Sequence, residues 1–322
     1  MGKSQVTWGL IGASGWADST FGPAIAAADN AALHAVLSSS QESANTFCEK
    51  HEVAKGYTSL DEFLADDSIH AVWIASPNHL HAPQAIAALK AGKHVLCEKP
   101  MALNVAECEA MIAAADAAGL QLGVGYHMRH HPLHQELQAD WRSGQFGSPI
   151  FFRAQLYFAY EEAPAVWRRN RATSGGWAIS DVGTHLIDLC RWFMGDVEAA
   201  QGLLSNPRWG YETDDHALVT MRFKGGAVAI ADASTGSGGP ARLEMYGTDS
   251  YCILEKTFFG HGGLVIRGSG NGEPRVSGYH NVNQYRSQVE AFSRAVLGIA
   301  PFPVTARDGL ENVRVMQAAR GY

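Results

Sequence analysis

The chain has 322 residues, enough for two domains of ordinary size and for a core that needs no covalent staples. Hydrophobic residues make up 46% and charged residues 18%, ordinary globular proportions that exclude a disordered, collagen-like or coiled-coil chain. Its 25 basic and 32 acidic side chains give a net charge of −7 without a clustered basic block, which argues against a nucleic-acid partner and against an anionic membrane surface.

Short apolar runs at 6–11, 32–37, 71–75, 94–97 and 122–124 predict buried strands. Helices lie between them. Ser59-Leu60-Asp61-Glu62 and Asn104-Val105-Ala106-Glu107 are capping boxes, the second opening an alanine-rich run that stops at Gly119. Pro83 is placed in the first turn of a helix ending at Gly92. Alternation of this kind predicts βαβ units and a doubly wound parallel sheet.

After about residue 126 the pattern changes, which sets the expected domains at 1–126 and 127–322. A helix is expected over 132–142, an aromatic strand over 151–160 and a helix over 180–194, stopped by Gly195. The strand at 216–223 turns through Lys224-Gly225-Gly226 into 227–233 as a hairpin. Glycine-rich turns between antiparallel strands follow, and helices over 283–297 and 307–319 close the chain. The five cysteines are scattered and form no C-x-x-C pair, so thiols in a reducing compartment are expected. No apolar run reaches the ~18 residues of a membrane span and no leader pattern is visible, which predicts a cytoplasmic protein.

Four groups of residues could carry chemistry. The first strand runs into Gly12-Ala13-Ser14-Gly15-Trp16-Ala17, a dinucleotide-type turn in which Ser14 stands at the middle-glycine position. At the end of the second strand, where an acidic residue would bind the ribose diol of NAD, the chain has Ser38-Ser39-Ser40. Hydroxyls there do not repel a 2′-phosphate, so NADP is preferred to NAD, with no nearby arginine to clamp it. Ser76-Pro77-Asn78 with His81, and Glu98-Lys99-Pro100, follow the next two strands, where open α/β sheets bind their ligands. Lys99 there could exchange the proton that accompanies hydride transfer. Farther on, Asp181 and His185 are four residues apart on one helical face, with Asp188 a turn beyond, a spacing at which a carboxylate can orient an imidazole. His127, His130, His131 and His134 are interrupted by Pro132 and lack an acidic or cysteine ligand, so no metal is expected. A regulator that binds a dinucleotide without catalysis would need the glycine turn, but not the lysine and the Asp–His pair together.

These residues resemble the glucose-fructose oxidoreductase / inositol dehydrogenase / rhizopine-catabolism (Gfo/Idh/MocA) family. The likeness rests on Gly12–Ala17, Ser76-Pro77-Asn78 with His81, the run from Gly92 to Glu98-Lys99-Pro100, Arg129 with Pro132, and Gly175-Gly176 leading to Asp181-Val182-Gly183-Thr184-His185. The opening Trp8–Ser14 and the serines after strand two are most similar to the NADP-using 1,5-anhydrofructose reductase branch, although the arginine of that branch is replaced near Ser43. The resemblance implies a Rossmann domain followed by an α/β domain with a large, mostly antiparallel open sheet, through which homo-dimers or homo-tetramers form. It implies NADP or NAD as cofactor and a sugar or polyol as substrate. It also implies a catalytic set of Lys99, Asp181 and His185, a cis Lys99–Pro100 peptide, and Trp167-Arg168 beside the nicotinamide.

Overall fold

A computed structural model describes residues 5–161, 165–259, 262–270, 272–280 and 282–321. The first 127 residues alternate β1 (Val6–Ile11), α1 (Gly22–Ala27), β2 (Ala31–Leu37), α2 (Gln41–His51), β3 (Lys55–Tyr57), α3 (Leu60–Leu64), β4 (Ala71–Ile74), α4 (Asn78–Lys90), β5 (His94–Cys97), α5 (Val105–Ala118) and β6 (Leu122–Val124). The strands form one parallel sheet in the order β3-β2-β1-β4-β5-β6. Trp8, Leu10 and Ile11 of β1 and all four residues of β4 are buried, the continuous apolar signature of strands covered on both faces.

The helix starts follow local chemistry. Ser59 and Asn104 cap α3 and α5 by accepting from the backbone N–H groups of Glu62 and Glu107. Pro83 corrects the expectation: α4 starts at Asn78, after an N-cap at Pro77, so the proline lies inside the helix. It is the sixth residue of the helix, so it removes a single backbone bond near the helix start.

The second set comprises α6 (Pro132–Arg142), β7 (Pro149–Tyr157), α7 (Arg171–Ser174), α8 (Thr184–Met194), β8 (Val197–Ser205), β9 (His216–Phe223), β10 (Val228–Ser234), β11 (Arg242–Gly247), β12 (Tyr251–Glu255), β13 (Gly263–Gly268) and β14 (Arg275–Tyr279). Its eight-stranded sheet runs β14-β13-β12-β11-β7-β10-β9-β8, antiparallel throughout except for the β7–β10 pair. Phe152, Ala154 and Leu156 of β7, with Val219 and Met221 of β9 and Ala229 and Ala231 of β10, turn inward to one core. Leu133, Leu137 and Trp141 of α6 and Leu186, Ile187 and Phe193 of α8 belong to the same core.

Helices α9 (Gln284–Val296) and α10 (Ala306–Arg320) close the chain. The molecule consists of two compact units, and the chain returns to the first late in its course. One unit runs through His127 and takes in Tyr285–Leu310; the other is Met128–Gln284 with the residues from Glu311 onward. In the first unit the Trp8 indole donates to Ser293 Oγ at 3.1 Å and its ring packs on Phe292, so α9 is part of the Rossmann core.

None of the five cysteines is in a disulfide. Among the described residues, no helix is long and apolar enough to cross a membrane, and no three His, Cys, Asp or Glu side chains gather as metal ligands would.

Candidate active site

In the first unit the chain leaves β1 through Gly12-Ala13-Ser14-Gly15-Trp16 and enters a π-helical turn, Ala17–Phe21. Gly12 has φ +105°, and a Cβ there would lie 2.8 Å from the Ala75 carbonyl oxygen, so this bend against the end of β4 requires glycine. Ser14 turns its hydroxyl to accept from the Ala17 N–H at 3.2 Å. At Gly15 a Cβ would meet no atom within 4 Å; the protein leaves that space open. The strand order reverses between β1 and β4, the place where a doubly wound sheet binds a dinucleotide. A glycine turn with open space at that point fits a pyrophosphate.

Ser38 is buried and Ser39 exposed, while Ser40 accepts from the Ser43 N–H at 3.2 Å as the N-cap of α2. Trp16 is 52% exposed and stands edge-on to Tyr285, which also stacks on His127 at 4.2 Å. At the end of β4, Ser76 Oγ donates to Gln84 Oε1 at 2.5 Å, and Asn78 is buried in the first turn of α4. His81 is fully buried between the loops after β4 and β5, its ring nitrogens 2.8 Å from the Pro100 oxygen and 2.9 Å from the Ser76 oxygen. Burial pushes this imidazole down to about 4, so it is neutral and donates one hydrogen bond. Lys99 is half-buried after buried Glu98, and the Lys99–Pro100 peptide is cis.

In the second unit the helix expected to start at 180 starts differently. Residues Ala178–Gly183 form a π-helical turn, and α8 follows from Thr184. Asp181 therefore lies in the π turn and His185 on α8, so their spacing is not that of one uniform α-helical face. Asp181 Oδ2 accepts from Arg168 Nε at 2.5 Å, and that guanidinium stacks over Trp167 at 4.3 Å. His185 is buried on α8. Asp188 belongs to the packing: it takes a bidentate hydrogen-bonded pair from Arg129 at 2.8 and 2.6 Å and a third bond from Asn312 at 2.8 Å, all buried.

Asp214 is a residue that sequence reasoning missed. Its carboxylate accepts from the backbone N–H groups of Trp177 at 3.1 Å and Ile179 at 2.7 Å, anchoring the segment that carries Asp181. Gly176, at φ +125°, has no room for a Cβ, which would lie 2.6 Å from Asp214 Oδ1. Gly176 is shaped around this carboxylate; the signal in the sequence was the acidic run Asp214-Asp215 after Glu212. The four histidines of this group are buried, and His134 lies 3.0 Å from both the Met128 oxygen and Thr257 Oγ1 and stacks on His131.

A family model described as an oxidoreductase family with an NAD-binding Rossmann fold matches residues 6–126, and a GFO/IDH/MocA C-terminal domain model matches residues 134–252. The chain is similar to a 1,5-anhydro-D-fructose reductase of Ensifer adhaerens, with 31% identity over 309 residues, 94% of this chain and 92% of that protein. It is also similar to the D-xylose 1-dehydrogenase [NADP(+)] of Haloarcula marismortui, at 25% identity over 98% of this chain and 90% of that one. Among solved structures, the aldose-aldose oxidoreductase of Caulobacter crescentus, complexed with glycerol, superposes with a TM-score of 0.89 at 27% identity, covering 98% of each chain.

Proposed function

Because this chain belongs to the GFO/IDH/MocA oxidoreductase family, we propose that it is an NAD(P)-dependent oxidoreductase moving a hydride between nicotinamide and a carbonyl or hydroxyl carbon of a sugar, cyclic polyol or related compound. The observation that carries the reading is the Gly12–Gly15 turn at the reversal of strand order, with Lys99 two strands along at a neighbouring carboxyl end. The names of the relatives support the substrate class. When bound, the nicotinamide supplies or accepts the hydride.

The proton on substrate oxygen is the task of the protein. In this reading His185 or Lys99 gives or takes it, and the other stabilises the developing alkoxide. Asp181, which accepts from Arg168, would orient His185 and keep it basic. NADP is the preferred cofactor, because Ser38, Ser39 and Ser40 present no carboxylate to a 2′-phosphate. The absence of disulfides fits a cytoplasmic location, and the open face of the large sheet fits a homo-dimer or homo-tetramer.

The test is a panel of sugars and polyols assayed with NADPH, NADP+, NADH and NAD+. Lys99→Ala and His185→Ala are expected to lose turnover by about 100-fold or more while binding cofactor as the wild type does. Wild-type turnover in either variant would end the assignment of that residue.

A further inference from the structure

Glu98 is a buried carboxyl in a closed setting within the first unit. Its Oε1 accepts from the Trp73 indole at 3.1 Å, and its Oε2 faces the Lys99 backbone N–H at 3.4 Å. Gly125 lies flush against it: a Cβ there would be 2.6 Å from Oε1. Two polar contacts and a wall of protein replace the water that a carboxylate would otherwise have. Burial accordingly pushes this acid up to about 7, against the opposing pull of Lys99, the Trp73 indole and the Lys99 N–H. The titratable groups facing it are Lys99, which follows it, Cys97, which precedes it, and Tyr285 from α9, with His127 stacked behind that ring. Both Cys97 and Tyr285 are held well up in their neutral forms, chiefly by burial, so the local charge in the neutral range is set by Glu98 and the lysine.

We propose that Glu98 couples the redox state of the bound cofactor to pH, standing protonated beside a reduced nicotinamide and giving up its proton when the ring is oxidised and positively charged. The inference rests on the cofactor reading above, which puts the nicotinamide at the carboxyl ends of β4 and β5, next to this residue. The charge balance is simple. An oxidised ring brings one positive charge, and a carboxyl that ionises beside it brings one negative charge and releases one proton to solvent. A reduced ring is neutral and leaves the carboxyl protonated. Phosphate groups are common to both forms of each cofactor, so their titration cancels in the ratio of affinities.

The experiment uses the whole protein and needs no substrate. Affinities for NADP+ and NADPH, and for NAD+ and NADH, are measured at about pH 6 and about pH 8.5 for the wild type and Glu98→Gln. In the wild type the affinity for the oxidised form relative to the reduced one is expected to rise about fivefold over that range, as for an acid lowered by a unit beside a positive charge. In Glu98→Gln the ratio is expected to be flat. Wild-type protein alone provides a second measurement. In weakly buffered solution at about pH 7, NADP+ should release more protons than NADPH does, and difference infrared spectra should lose a protonated-carboxyl stretch on NADP+ binding. A variant that keeps the wild-type pH dependence overturns the proposal, as does NADP+ binding to the wild type with no more proton release than NADPH binding. Failure of the wild type to bind any of the four nucleotides removes the cofactor reading itself.

Discussion

A methyl group added at Gly12 would press on the Ala75 carbonyl oxygen at 2.8 Å, and the backbone there has a φ of +105°. Both terms act on the folded chain before any ligand arrives. Gly12→Ala is expected to cost about 2–3 kcal/mol of stability, measured by urea or thermal unfolding without cofactor. Gly15 belongs to the same turn and has neither constraint, since a Cβ would point into open space. Gly15→Ala is expected to leave stability within about 0.5 kcal/mol and to weaken NADPH binding about tenfold or more, measured by fluorescence titration. If Gly15→Ala bound NADPH unchanged, the open space at that residue would not be where the pyrophosphate lies. The pair separates a glycine required by the chain from one required by the ligand, a distinction that the spacing of glycines in the sequence could not make.

At the scale of elements, Asp66 shows how one side chain secures the edge of the parallel sheet. Its Oδ2 takes His34 of β2 at 3.1 Å, Lys55 of β3 at 2.9 Å and the Tyr57 hydroxyl of β3 at 2.9 Å, and its Oδ1 takes the Ser68 N–H at 3.0 Å. Burial works against the charged carboxylate, but these four partners outweigh it and hold the acid well below 3.8. A depressed carboxyl contributes stability above its unfolded value, and that contribution is lost as pH falls below 3.8. Asp66→Asn is therefore expected to cost about 2 kcal/mol at neutral pH, with the gap to wild type closing in acid, as read from urea unfolding at a series of pH values. A gap independent of pH would assign the loss to packing.

The elements that were legible in the sequence are those whose cause is local. The strands of the parallel sheet are short apolar runs because both faces are covered, and the starts of α3 and α5 are written in Ser59–Glu62 and Asn104–Glu107. The edge strand β8 has mostly exposed residues and no clear alternation, so it left no pattern to read. The π turn at Ala178–Gly183 is set by Asp214, which is distant in sequence, and it alters the relation between Asp181 and His185 that a regular helix predicts. The return of α9 to the first unit depends on Trp8 meeting Phe292 and Ser293, a pairing that neither segment announces. For the candidate site, residue types and strand ends were legible; what holds each side chain was not.

At the scale of the whole molecule, the large sheet has two unlike faces. One carries Phe152, Leu156, Val219 and Met221 into the core with α6 and α8. On the other, Phe151, Tyr246 and Tyr251 form a stacked ladder across β7, β11 and β12, with ring centroids 6.0 Å apart at each step. Val228 pairs with Phe151 in register and is 44% exposed; Leu264, Val276 and Leu203 on the same face are 45%, 61% and 71% exposed. These apolar residues are spread over one face of an eight-stranded sheet among ion-paired side chains such as Arg153 and Arg242 with Glu244, and a second copy of the chain would remove them from water. Charge placed there should oppose association without touching the inner core. Val228→Asp combined with Leu264→Asp is expected to weaken self-association about thirtyfold or more, giving monomers by sedimentation velocity with circular dichroism unchanged. A wild type that sediments as a monomer at micromolar concentration would show that this face serves something other than self-assembly. An oligomer that survives both charges would place the interface on another surface, because a contact over this face would have to bury both added carboxylates.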